Sequence, residues 1–134
     1  MKSRTELARG WFLKAESDLV AARQVIEGSG PYDTACFHAQ QAVEKFLKGF
    51  LAFSGKPIPR THNLEDLELL CAEVQPNLLP SDVGMELVEM TAYGVELRYD
   101  FEFWPDRETA VEAIERAEQV KAIVLASVPE QARP

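Results

Sequence analysis

What this chain can fold into is set by its apolar residues, which recur three and four apart in five segments and nowhere alternate with period two over a strand's length. In the first segment, about Ser3 to Glu27, the residues Leu7, Trp11, Ala15, Leu19, Ala22 and Ile26 form one stripe. Gly28, Ser29, Gly30 and Pro31 stop it, glycine as the usual helix terminator and proline pre-set for the next first turn. The second segment, about Tyr32 to Phe53, puts Cys36, Ala39, Val43, Phe46, Leu47 and Phe50 on one broad face and Gln40, Gln41, Glu44, Lys45 and Lys48 on others. At about 1.5 Å per residue it is about 33 Å long and matches its predecessor, so the two predict an antiparallel hairpin.

A loop holding Gly55, Pro57 and Pro59 follows, and Asn63 with Asp66 marks a capped helix start. Leu64, Leu67, Leu70, Cys71 and Val74 give a short third helix ended by Pro76 and Pro80. Ser81 and Asp82 can cap a fourth, carrying Val83, Leu87, Met90, Val95 and Leu97, in which Gly94 marks a close helix contact. Tyr99 to Trp104 reads as an extended linker with apolar anchors. Asp106 caps a fifth helix, Arg107 to Val128, whose Val111, Ile114, Ala117, Val120, Val124 and Val128 face the core. The expected fold is all-α, a single domain over residues 1–134 built as an antiparallel up-and-down bundle of four to five helices.

A chain of 134 residues buries roughly two thirds of its unfolded surface and needs no staple. Cys36 and Cys71 fall in apolar helical stretches with no second cysteine at ligand spacing, which predicts buried free thiols. Lys14, Glu16 and Asp18 interrupt any leader-like run, and no apolar stretch approaches the roughly 20 residues that span a bilayer, so a cytoplasmic protein with no membrane contact is expected. The formal net charge of −8 disfavours general nucleic-acid binding while leaving room for a local basic site.

The two histidines, His38 and His62, have no metal-ligand spacing, and Glu86 with Glu89 lacks the Glu-x-x-His partners of a di-iron bundle, so neither metal nor cofactor is expected. No phosphate loop or hydrolase nucleophile motif is present. What remains is a polar constellation, Gln40, Gln41, Glu44, Lys45 and Lys48 on the second helix and Arg98 after the fourth. Gln40, Glu44 and Lys48 are successive i, i+4 neighbours, and the bland reading is a solvated face with one ion pair of about 0.3 to 0.5 kcal/mol. For His62, at a helix start after a proline-rich loop, the bland reading is a bond to neighbouring backbone.

The run Phe37-His38-Ala39-Gln40-Gln41-Ala42-Val43-Glu44-Lys45-Phe46-Leu47-Lys48, then Gly55 and Thr61-His62-Asn63-Leu64, resembles the HEPN family (higher eukaryote and prokaryote nucleotide-binding domain), in its small stand-alone prokaryotic type. The likeness extends to Asp18-Leu19 and Ala21-Ala22, to Leu97-Arg98-Tyr99, and to Ala110 through Ala117, nearly the whole chain. The resemblance implies a helical bundle, commonly a homodimer with a cleft between protomers, and often a nucleotidyltransferase partner in a toxin-antitoxin pair. Many members are metal-independent endoribonucleases using an arginine, four to six residues, then a histidine. The arginine would hold phosphate bidentately and the histidine would move the proton.

Arg98 is present, but Phe103, Trp104 and Pro105 occupy the histidine positions, and none of them can carry a proton. The expected function is therefore a homodimeric nucleotide- or partner-binding component, its ligand site formed by Glu44, Lys45, Lys48, His62, Arg98 and Tyr99, leaning away from an enzyme. Two alternatives stand beside it. One is a ribonuclease toxin in which Arg98 works with His38, His62 or another unusual proton carrier. The other is a ligand-free structural or regulatory dimer in which Arg98 pairs with Glu44.

Overall fold

The computed structural model describes residues 1–134, as five α-helices and no strand. These are α1 (Arg4–Glu27), α2 (Tyr32–Phe53), α3 (Leu64–Val74), α4 (Ser81–Gly94) and α5 (Arg107–Ala126), with short 3-10 turns at Leu97–Tyr99 and Glu130–Ala132. Ser3 caps α1 by accepting from the Glu6 N–H at 3.1 Å, and Asn63 caps α3 by accepting from Glu65 and Asp66. At α4 Ser81 is already helical and the cap position is Pro80, with no side-chain bond, so the expected Ser81 cap does not form.

Asp106 caps α5 and accepts from the Thr109 N–H at 2.9 Å. That bond holds the Asp106 carboxyl below the usual carboxylate range, so its stabilising contribution is present above the ordinary carboxylate pKa and is lost as pH falls through the lowered value. Asp106→Asn keeps an acceptor and is expected to remove this part of the acid sensitivity of the melt.

α2 is the hub and packs against all four other helices, most extensively against α1. Fourteen of its 22 residues are buried, so its polar residues cannot all lie in water. On α1 the core face is Ala8, Phe12, Ala15, Leu19 and Ala22, whereas Leu7 is exposed and Trp11 half-buried. The expected stripe is thus displaced by one position at its start. The cause is close approach, because Gly49 of α2 lies against the Phe12 ring and a Cβ there would sit 2.7 Å from Phe12 Cδ1. Gly49→Ala should therefore overpack the α1–α2 interface and cost about 1 to 3 kcal/mol in a denaturant melt.

The other expected core positions hold in α2, with smaller departures elsewhere. Val74 and Val95 are exposed, and Val111 is only half-buried. The segment after α4 is not extended, since Phe103 N–H bonds to Asp100 O at 3.1 Å and Glu102 N–H to Asp100 Oδ1 at 2.9 Å, folding it into turns. Of its aromatics only Phe103 anchors, stacked on Tyr93 at 5.6 Å, while Tyr99, Phe101 and Trp104 stand in solvent. No helix is long and apolar enough to cross a membrane.

Candidate functional site

Because α2 is central, its polar residues Gln41, Glu44 and Lys48, in line with Phe37 and flanked by His38, Gln40 and Lys45, become a seam that other elements cover at different points. In its middle Glu44 is almost wholly buried and takes Lys48 Nζ at 3.1 Å on one oxygen and His62 Nδ1 at 2.9 Å on the other. Gln40, fully buried, donates to the His62 carbonyl at 3.2 Å and accepts from Gln41 Nε2 at 2.7 Å. Gly94 of α4 closes over it, as a Cβ there would lie 2.6 Å from Gln40 Cδ. The expectation of a solvated face with one weak ion pair fails here, and Gly94 does mark a close contact. His62 likewise bonds a buried carboxylate rather than backbone, with 58% of its side chain still exposed.

This knot fixes the loop before α3 to α2, and its charges are satisfied inside the chain. Lys48 also sits 5.7 Å from the Trp11 ring, at the α1 end of the seam.

Asp18 makes a second knot. It projects from α1 into the flank of α2, where His38 Nδ1 lies 2.8 Å from Oδ1 and Lys45 Nζ 2.6 Å from Oδ2. A carboxylate on Nδ1 fixes the imidazole tautomer and leaves Nε2 as the edge able to exchange a proton. The His38 side chain is 28% exposed.

Arg98 lies beyond this, on the 3-10 turn after α4. Its guanidinium carbon is 4.3 Å from the Phe37 ring centre and 5.6 Å from that of Tyr99, and it forms no ion pair within the chain. The pairing of Arg98 with Glu44 is therefore replaced by stacking on Phe37. That ring also meets His38 edge to face, with 5.2 Å between ring centres, so Phe37 contacts both the arginine and the Asp18-anchored histidine.

Beside Arg98 opens a cavity of about 220 Å³ lined by Asp33, Thr34, Phe37, Tyr93, Leu97, Arg98 and Phe103. Burial, with Cys36, Glu89 and Glu112 nearby, raises the Tyr93 phenol and keeps it neutral. Burial also pushes both thiols up to about 12, Cys36 aided by Asp33 and Asp106 and Cys71 by Glu68, so neither offers a thiolate near neutral pH.

A sequence model of the HEPN domain matches residues 8–127. The chain belongs to the HEPN family. Two solved structures resemble it along nearly their whole length. TT1696 from Thermus thermophilus is 29% identical, with a TM-score of 0.77 over 90% of this chain and 98% of that one. ST0689, an archaeal HEPN homologue, is 27% identical, with a TM-score of 0.72 over 96% and 100%. No curated protein matches.

In this HEPN chain the six expected site residues fall into separate contacts rather than gathering at one point. Glu44, Lys48 and His62 share the central knot, Lys45 belongs to Asp18, and Arg98 with the exposed Tyr99 lies at the far end. Sequence reading left Asp18, Asp33, Phe37, Tyr93 and Phe103 out of the site. The one available signal was Asp18, an acid directly beside the core position Leu19.

Proposed function

We propose that this HEPN protein is a cytoplasmic homodimeric binding component of a toxin-antitoxin-like pair, taking a nucleotide or a nucleotidyltransferase partner at the Arg98 end of the α2 seam. The observation that supports this reading is Arg98 itself, its guanidinium over the Phe37 ring and without an ion pair in the chain, in the lining of a cavity that also holds Phe37, Tyr93 and Phe103. A stacked guanidinium keeps its in-plane N–H donors free for a phosphate or carboxylate. Saturable heat on calorimetric titration with ATP is the expected result, lost in Arg98→Ala. No heat at millimolar nucleotide would remove the nucleotide version, and a monomer in sedimentation would remove the dimer.

A second reading rests on the Asp18–His38 pair. In a metal-independent ribonuclease, His38 Nε2 would take the proton of a ribose 2′-hydroxyl, that oxygen would bond to phosphorus to form a 2′,3′-cyclic phosphate, and the bond to the 5′-oxygen would break, that oxygen leaving as a hydroxyl with a proton from solvent. Arg98 would hold the phosphate's non-bridging oxygens. RNA cleavage in the presence of chelator, lowered about 100-fold to 10,000-fold by His38→Ala, would establish it. Inactivity on varied RNAs rejects it.

A further inference from the structure

Gly49, Gly84 and Gly94 lie inside helices for a reason found within the chain, since a Cβ at each would overlap Phe12, Glu68 or Gln40. Gly10, inside α1, has no such reason. A Cβ there meets nothing within 4 Å, although glycine in a helix interior is destabilising relative to alanine. The space it keeps open faces outward, in a surface hollow of about 290 Å³ that it lines with Leu7, Trp11, Lys2, Glu6 and Lys14. Lys2 and Lys14, with Arg9 next to Gly10, have no ion-pair partner in the chain, so the hollow is basic as well as apolar.

α4 carries the complementary feature. It buries Val83, Leu87 and Met90, while Met85, Val88 and the half-buried Ala92 recur three and four apart on its outer side, and Val95 follows at the next step of three. Met85, 74% exposed, is the most exposed large apolar side chain of the five helices. α3 and α4 hold no lysine or arginine, and Asp82 and Glu89 beside this ridge have no ion-pair partner in the chain. Two α4 ridges laid together would oppose acid to acid, which is costly. The ridge suits a basic surface with an apolar notch, and α1 presents one.

We propose that a second copy of this chain seats its α4 ridge in the α1 hollow, with Met85 in the notch at Gly10 beside Trp11. Methionine fits that place, because its unbranched thioether fills an irregular gap and packs favourably on an aromatic ring. With the two helices parallel, this register brings Glu89 to Lys14, each four residues further along, and sets Glu6 opposite Ser81. The opposite direction would set Glu89 against Glu6. The assignment names the interface of the homodimer proposed above and rests on that reading. In a two-fold pair the contact is made twice, each copy giving α4 and receiving on α1.

Sedimentation equilibrium on the full chain tests it. A reversible dimer is expected for the wild type, weakened at least about tenfold by Lys14→Glu and to a similar extent by Glu89→Lys. Both positions are exposed, so neither reversal disturbs the core. An equimolar mixture of the two variants should associate nearly as the wild type does, because every contact between unlike variants again joins opposite charges. Gly10→Leu, which nothing in its own chain obstructs, should keep the fold and weaken the dimer.

A wild-type protein that stays monomeric at submillimolar concentration overturns both the dimer and this interface. A dimer unchanged by Lys14→Glu and by Glu89→Lys, each checked for native helical circular dichroism, overturns the interface while leaving the dimer intact. Association lost in both variants and not recovered on mixing overturns the pairing of the two faces. A dimer indifferent to Gly10→Leu overturns the place given to Met85.

Discussion

Glu44→Ala should cost about 3 to 5 kcal/mol of folding stability, a large part of the roughly 5 to 15 kcal/mol of an ordinary domain. The side chains of Glu44 and Lys48 are 4% and 8% exposed, so removing the carboxylate strands a buried ammonium as well as an ion pair. It also frees His62 and weakens the bond by which Gln40 holds the His62 carbonyl, loosening the loop before α3. His62→Ala should be far milder, under about 1 kcal/mol, since that side chain is more than half exposed and leaves Lys48 paired. Replacing Glu44 and Lys48 together by methionine should recover much of the loss, because two apolar side chains leave no charge unpaired. Urea melts of the four proteins check the ordering, and a Glu44→Ala protein as stable as the wild type would show the pair to be solvated.

The spacing of Gln40, Glu44 and Lys48 was legible, and so was their mutual contact along α2. Their burial was not. Whether an i, i+4 polar row on a helix meets water depends on how many neighbours surround that helix, and five amphipathic segments do not by themselves say which becomes the hub. The conspicuous clue was glycine: Gly94 breaks the α4 stripe because the Gln40 side chain needs that space, and Gly49 does the same for Phe12.

The site follows the same division. Arg98 and the empty histidine positions can be read from sequence, because they are a matter of residue type and spacing. What Arg98 touches cannot, since the stretch after α4 carries aromatics alternating with acids and no regular period. Its turns are set by Asp100, which accepts from Glu102, and by Phe103 docking on Tyr93. Two consequences follow from that local choice. Arg98 is delivered to Phe37 rather than to Glu44, and Asp33 shares a cavity with it although 65 residues separate them in the chain.

Phe12→Ala is the second large loss expected, about 3 to 5 kcal/mol, and Trp11→Ala beside it should cost much less. The apolar stripe read from spacing put Trp11 in the core, yet Phe12 is the fully buried ring, stacked 6.1 Å from Phe46 and pressed against Gly49. Truncation there removes a ring from a close contact between α1 and α2, and helix backbones on both sides limit how far the gap can collapse. Trp11 is half-buried and lines an open surface hollow with Lys2, Leu7 and Lys14, so its loss removes the Lys48 contact and partial burial but leaves no internal cavity. In thermal melts Phe12→Ala should fall by roughly 10 to 20 °C, and Trp11→Ala by a few degrees. The reverse order would mean that α1 is rotated by about one residue from the arrangement described, which would also carry Asp18 away from His38 and Lys45. The comparison thus tests the helix register on which the Asp18 knot depends.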